Sequence, residues 1–302
     1  MKGIILAGGM GTRLWPVTLG VSKQLLPVYN KPMVYYPLSV LMLAGIRDIL
    51  VITRPEDQAS FRNLLGDGAR LGLSISYTIQ PKPEGLPQAF VLAKDFIGDD
   101  RCALVLGDNI FFGHGLPELL REAGRQTVGA SIFTYVTRTP EAYGVLVRDE
   151  ARRPMEVVEK PRTLVSNEAI TGLYFFGPEV VEMASSLKPS VRGETEITDL
   201  IRTYVANGTL AVQEMGRGYA WFDSGTHESL LQASIFVQAI EERQGLAVAC
   251  LEEIALRMGF IGLDELHAIA ASISASSYGA YVHQLSQSLK GKVQGAPSVS
   301  GS

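Results

Sequence analysis

Cysteine is nearly absent: Cys102 and Cys250 are the only two in 302 residues, far apart and each in an apolar setting. That excludes a disulfide framework and leaves two buried, reduced thiols as the plain reading. A basic excess is also missing. Lys and Arg total 27 against 31 Asp and Glu, a formal net charge of -4, so the positive footprint of a nucleic-acid binder is not there. A few local cations would still hold a small anionic substrate. No apolar run approaches the ~18 residues of a membrane span. The stretch 4–7 is too short for a signal-peptide core, and no cleavage site follows it. A soluble, cytoplasmic protein with no nucleic-acid and no membrane partner is expected. What is present is a 46% hydrophobic composition, enough to fill one large domain, or one domain with appendages.

The first half alternates short Ile/Leu/Val runs with helical patterns. Residues 3–7, 49–53, 74–79 and 103–106 read as strands, and 33–44, 56–65, 86–96 and 116–124 as helices. Continuous apolar strands separated by helices are buried on both faces. This predicts an α/β fold with a doubly wound, mostly parallel, Rossmann-like sheet. Such sheets bind ligands beyond the carboxyl ends of their strands, which directs attention to the turns after the first and fourth strands. From 128 to 176 the pattern becomes β-rich (130–135, 144–147, 156–159, 169–176). Helices at 179–186 and 196–207 and a strand at 210–215 follow. Beyond Gly225 the pattern is helical (226–244, 252–258, 263–271, 277–289) and holds no catalytic cluster, which suits packing onto the core or onto a second subunit. The predicted division is a core over 1–240, whose β-rich insertion spans about 128–225, and a helical tail over 241–290. The small, polar end at 291–302 is expected to be disordered.

The first strand runs into Leu6-Ala7-Gly8-Gly9-Met10-Gly11-Thr12-Arg13-Leu14-Trp15-Pro16. Glycines at such a turn let backbone N–H groups approach a phosphate chain, and Arg13 adds a permanent charge. The dinucleotide fingerprint fails, because Leu14 stands at its third glycine, and the P-loop pattern is absent. An oxidoreductase is therefore disfavoured. Downstream, Ser22-Lys23-Gln24-Leu25-Leu26-Pro27 sets Lys23 just beyond the loop, in reach of the same phosphates. Alone, the glycines describe an ordinary strand-to-helix turn. The pair GGxGTRLxP and SKxLLP resembles the signature of the sugar nucleotidylyltransferases, and within them the glucose-1-phosphate thymidylyltransferases.

The resemblance runs from Gly3 to about Leu289 and orders the remaining motifs. It implies a nucleotide-binding part at about 1–127 and a sugar-binding part at about 128–225. The nucleotide-binding residues it implies are Leu6, Gly8, Gly9, Gly11, Thr12, Arg13, Gln24, Gln80, Gly85 and Asp108. Leu106-Gly107-Asp108-Asn109 closes the fourth strand, where a carboxylate could meet phosphate-bound Mg²⁺. Its implied partner is Asp223, in Trp221-Phe222-Asp223-Ser224-Gly225-Thr226, although an aspartate there could instead cap the following helix. Gln80, at the head of the segment 80–89, carries an amide that both donates and accepts, which suits the N3–H and O4 edge of thymine or uracil. Pro87 stands where alanine is common in the family, a change that the first turn of a helix tolerates. An isolated Glu159-Lys160 pair would read as solvated surface. With Tyr143, Gly144, Ile170 and Tyr174 around it, it resembles the family's hexose pocket, Ile170 standing where valine is common. Arg192 resembles a second cation for the sugar phosphate. Gly113-His114-Gly115 and Glu253-Ile254 resemble the two sides of a regulatory nucleotide site, although a histidine in a glycine turn can equally be inert.

The activity implied is Mg²⁺-dependent transfer of a thymidylyl group from dTTP to glucose-1-phosphate, the opening step of dTDP-rhamnose or deoxysugar synthesis. A sugar-phosphate oxygen would attack the α-phosphorus in line and pyrophosphate would leave. A phosphate dianion is already a nucleophile, so no general base is needed, and the chain carries no Ser/His/Asp or reactive-cysteine arrangement. What the chemistry needs is alignment and charge neutralisation of two anions. Arg13, Lys23, Asp108 and Asp223 would serve the triphosphate, and Lys160 and Arg192 the sugar phosphate. The resemblance also implies a homotetramer and feedback by a dTDP-sugar. A UTP-using or other-hexose enzyme, and a non-catalytic sugar-nucleotide sensor, are the alternatives.

Overall fold

The computed structural model describes residues 1–273 and 275–294. In chain order the strands are β1 (Lys2–Ala7), β2 (Pro27–Val28), β3 (Lys31–Pro32), β4 (Asp48–Thr53), β5 (Ser74–Ile79), β6 (Cys102–Leu106) and β7 (Ile110–Gly113). They continue with β8 (Ala130–Val136), β9 (Gly144–Arg148), β10 (Pro154–Glu159), β11 (Glu168–Phe176), β12 (Leu210–Met215) and β13 (Tyr219–Phe222). Nine of them form one mixed sheet in the order β10-β9-β11-β6-β1-β4-β5, with β8 pairing β11 and β12. The β6-β1-β4-β5 half is parallel. Its inner strands β1, β4 and β6 read as continuous Ile/Val/Leu runs because both of their faces are covered, whereas β5, at the edge, is partly exposed. Strand β11 enters antiparallel to β6 and β8 and joins the β-rich insertion to that half.

Two apolar clusters flank the sheet. One packs Leu38 and Leu41 of helix Tyr35–Leu43, with Val34 just before it, against β1 and β4. The other packs helices Val180–Ser186 and Ile197–Ala206 against the opposite face. The tail joins the first cluster: Leu251, Ile254, Leu266, Ile269 and Val282 share it with helix Tyr35–Leu43. Each fully buried Leu or Ile there contributes roughly 1.5–3 kcal/mol, which is reason enough for the tail to lie on the core. Cys102 and Cys250 are both buried and unpaired, and burial pushes the Cys102 thiol up to about 12. Among the described residues no helix is long and apolar enough to cross a membrane.

The structure departs from the sequence reading in three places. The helix expected over 86–96 is two short ones, Gln88–Leu92 and Lys94–Ile97, because the chain tightens at Ala93, whose N–H turns back to Ala89 and Val91. The ribbons β2-β3 and β7-β13 were not foreseen. The last helix runs Ser277–Gln294, so the polar ending begins later than 291. The disorder expected to the end of the chain falls on 295–302, outside the described residues.

Candidate active site

Parallel register brings the carboxyl ends of four strands to one edge of the sheet. Ala7 pairs with Thr53 and Thr53 with Ile79, while Leu6 pairs with Leu106. The residues that follow these ends are Gly8, Gln80 and Gly107-Asp108, so one edge collects three of the expected motifs. The glycines of the loop are not equivalent. A methyl on Gly8 would lie 1.8 Å from Gln80 Oε1, whereas Gly9 faces open space. Gly11 adopts a left-handed φ of 62° at the start of the short turn Thr12–Leu14, with Thr18 and Lys23 against it. Lys23 is almost buried, and its ammonium pairs with the Asp108 carboxylate.

The antiparallel ribbon explains how two aspartates so distant in sequence meet. Ile110 of β7 opposes Phe222 of β13. Continuing that register by one residue sets Asp223 opposite Asn109 and beside Asp108. Asn109, 2% exposed, binds the parts together. Its Oδ1 accepts from Gly172 N at 3.0 Å and Trp221 Nε1 at 2.7 Å, and its Nδ2 donates to Asp108 Oδ1 at 2.9 Å. The Trp221 ring lies 4.9 Å from that of Tyr143. Burial, the charge of Asp223 and a hydrogen bond to that carboxylate push the Tyr143 phenol up to about 12. Asp223 is not the helix cap that the sequence left open. Thr226 caps helix His227–Gln244 through a reciprocal pair with Ser229. The Arg13 guanidinium packs over Gly225, where a methyl would come within 2.6 Å of it.

A cleft of about 600 Å³ opens between this edge and the insertion. Arg13, Asp108, Tyr143 and Asp223 line it together with Glu159, Lys160 and Arg192. Glu159 accepts from Thr198 Oγ1 at 3.2 Å and pairs with Arg192 at 3.3 Å, and Lys160 Nζ lies 4.0 Å away. Arg192 is also within 3.4 Å of Glu196 and 3.8 Å of Glu194, so its charge is shared among three carboxylates. Lys160 keeps the freer ammonium. Gly144 is held close by its neighbours, since a methyl there would meet Thr198 at 2.6 Å and Glu159 at 3.3 Å. Ile170 and Tyr174 form the apolar floor; both are buried, and Tyr174 stacks on Phe176.

The base segment and the insertion meet directly. Gly85 bridges Thr195, and the Glu84 carbonyl accepts from Thr195 N at 2.8 Å and Thr195 Oγ1 at 2.9 Å. Gln24 accepts from Ser22 Oγ at 2.8 Å. The last expected pair is not brought together within one chain. Glu253 and Ile254 border a separate cavity of about 240 Å³ that also touches Phe112, but His114 is exposed and, with Gly113 and Gly115, stands outside its walls. Glu253 is engaged by Tyr281 at 2.5 Å and Arg257 at 2.6 Å.

Asn109, Trp221, Thr198 and Thr195 are the polar partners that sequence reasoning did not single out. Two of them lie inside quoted motifs, while Thr198 and Thr195 carry no local signal. For a metal, the donors on hand are the carboxylates of Asp108 and Asp223. Among the described residues no cluster of three or more His, Cys, Asp or Glu forms. Two hard oxygen ligands beside a cationic phosphate loop fit Mg²⁺, which keeps water and substrate phosphates in its shell.

Comparison with known proteins bears on this geometry. A family model described as nucleotidyl transferase matches residues 2–240. A Neisseria meningitidis glucose-1-phosphate thymidylyltransferase is 56% identical over 285 residues, 94% of this chain and 99% of the relative. One from Mycolicibacterium smegmatis is 54% identical with the same coverage. Among solved structures, a Bacillus anthracis protein proposed to be a glucose-1-phosphate thymidylyltransferase, crystallised with sucrose, superposes with a TM-score of 0.73. It is 41% identical and covers 78% of this chain and 94% of its own.

Proposed function

The chain belongs to the nucleotidyl transferase family, among its glucose-1-phosphate thymidylyltransferases, and from that premise we propose how its residues carry the reaction. The protein transfers the thymidylyl group of dTTP to glucose-1-phosphate, giving dTDP-glucose and pyrophosphate. The reading of the site is supported above all by the register of β7 and β13, which sets Asp223 across from Asn109 and beside Asp108, at a cleft that Arg13, Lys160 and Arg192 also line. Arg13 and Lys23 hold the triphosphate on the glycine loop. Lys160, with Arg192, receives the sugar phosphate, and Glu159 and Gly144 receive the hexose. A phosphate oxygen of glucose-1-phosphate forms the new bond to the α-phosphorus as the bond to pyrophosphate breaks. The protein contributes alignment of two mutually repelling anions and stabilisation of the charge that develops. Mg²⁺ held by Asp108 and Asp223 would supply further neutralisation of the phosphates. End-product feedback and a homo-oligomer belong to the same reading. Leu231 and Ile235, 61% and 55% exposed one turn apart on helix His227–Gln244, suit a partner copy.

The test is pyrophosphate release with glucose-1-phosphate, Mg²⁺ and each of dTTP, UTP, CTP, GTP and ATP. Fastest turnover with dTTP, abolished by EDTA, is expected, and fastest turnover with UTP would overturn the base assignment. Asp108→Asn should lower kcat by about 10²-fold or more, the scale of losing one electrostatic group at a transition state. Unchanged turnover would remove Asp108 from the metal site.

A further inference from the structure

The Gln80 amide could present either its oxygen or its NH₂ to a base, and the two choices select different nucleotides. The choice is made by neighbours whose own polarity cannot change. Gln88 Oε1 accepts from the backbone Glu84 N–H at 3.1 Å, a group that can only donate. Gln88 Nε2 donates to Glu84 Oε2 at 3.0 Å, and a carboxylate can only accept. The Gln88 amide is thereby oriented from both ends. Its Oε1 also meets the Gln80 side chain at 2.6 Å, and that contact must be made by Gln80 Nε2. Gln80 is 2% exposed, and its Oε1 faces Gly8 on the phosphate loop, with no protein donor to it among the described residues. Gln24 has no such lock, because its partner is the Ser22 hydroxyl, which can donate or accept.

We propose that Gln88, held by Glu84, is a specificity-determining positioning residue. It turns the Gln80 amide so that an acceptor faces the incoming base, and the site thereby selects pyrimidines with a donor at N3. Thymine and uracil carry N3–H and complete the bond. Cytosine carries a lone pair at N3 and meets an acceptor with an acceptor. The proposal rests on the assignment of Gln80 to the base.

The measurement is kcat/KM for dTTP, UTP and dCTP with glucose-1-phosphate or, where dCTP does not turn over, its inhibition constant against dTTP. In Gln88→Met the Gln80 amide is free to turn. The preference for dTTP over dCTP should fall about tenfold, the worth of one hydrogen bond and its mismatch, while the dTTP to UTP ratio stays within about twofold. Glu84→Gln retains an acceptor for Gln88 Nε2 and should keep the wild-type preference. Should Gln88→Met slow all three nucleotides by one common factor while Gln80→Ala abolishes the dTTP over dCTP preference, the lock is wrong and Gln80 still reads the base. An unchanged preference in Gln80→Ala removes the base assignment itself, and the proposal with it.

Discussion

Replacing Asn109 tests whether the cleft is held together as described. Its amide oxygen satisfies a buried donor, Gly172 N, and a half-buried one, Trp221 Nε1, and its NH₂ reaches Asp108. Asn109→Leu keeps the branching at Cγ and leaves both N–H groups unpaired. An unsatisfied buried donor costs about 1–3 kcal/mol and a half-buried one less, so the expected loss is about 1–4 kcal/mol, a sizeable part of a typical stability of about 5–15 kcal/mol. Asn109→Asp behaves differently. It still accepts from both donors, but it sets a carboxylate where the wild-type amide lies 2.9 Å from Asp108. Two carboxylates that close do not both ionise, and the folded pair holds a proton that the unfolded chain releases. A folded-state proton affinity raised above the unfolded one means that stability is fully present below the unfolded carboxylate range, near pH ~4. It is lost as pH rises through the folded value. Urea denaturation at pH 5 and pH 8 separates the two variants. Asn109→Asp should come close to wild type at pH 5 and fall away at pH 8, while the deficit of Asn109→Leu stays constant. A loss below about 1 kcal/mol for Asn109→Leu, or a flat profile for Asn109→Asp, would refute the network.

Gly85→Ala introduces a methyl 2.0 Å from the Thr195 carbonyl at a φ of 113°. It should part the base segment from the insertion and lower kcat/KM for both substrates about tenfold or more, with circular dichroism unchanged. Arg148 grips Glu168 with two bonds of 2.8 and 2.6 Å. Burial pushes the Glu168 carboxyl up, but hydrogen bonds from Arg148 and Thr134 outweigh it and hold the group below its ordinary range. That contribution is present above the unfolded value of about 4.3 and is lost as pH falls through the folded one, so the deficit of Arg148→Leu in denaturation, about 2–3 kcal/mol at pH 7, should shrink below pH ~4. Ser224 is buried at a φ of 39°, and its hydroxyl has no partner among the described residues. Ser224→Gly should therefore raise stability by about 1–2 kcal/mol and lower kcat by loosening Asp223, as thermal melts and steady-state rates would show together.

What the sequence made legible is what short range decides. The inner parallel strands β1, β4 and β6 show as apolar runs because both of their faces are covered, and β5 and β12 begin and end where the pattern does. The loop from Gly8 to Arg13 is legible because its glycines and its charge are contiguous. Helix ends drift by a residue or two, as at Tyr35–Leu43, where capping and the first turn compete. The break at Ala93 was invisible, since neither glycine nor proline marks it. So were the left-handed conformations of Lys160 and Ser224, which follow Glu159 and Asp223 directly. A lysine or a serine gives no local reason to leave the ordinary regions of backbone space.

The ribbon β7-β13 shows why chemistry could be located before geometry. Each strand has four residues, too few for an alternating pattern to stand out, and their partners lie more than a hundred positions apart. Yet both strands are bounded by motifs chosen on chemical grounds, Asp108-Asn109 before the one and Asp223 after the other. The same holds for Lys23 with Asp108, a contact that spans 85 positions, whereas Glu84 meets, 111 positions away, a Thr195 that no local signal marks. Residue types near strand ends announce which groups meet phosphate, because charge and backbone freedom are local properties. Which of them face each other depends on register across the sheet. Here the register leans on residues with no charge of their own. Asn109 ties the ribbon to β11, and Thr195 ties the base segment to the insertion. Neutral hydrogen bonds of this kind carry no net charge, so a polyanion acts less strongly on them than on the ion pairs, and the frame that aims the charged groups is built from the less responsive kind of contact.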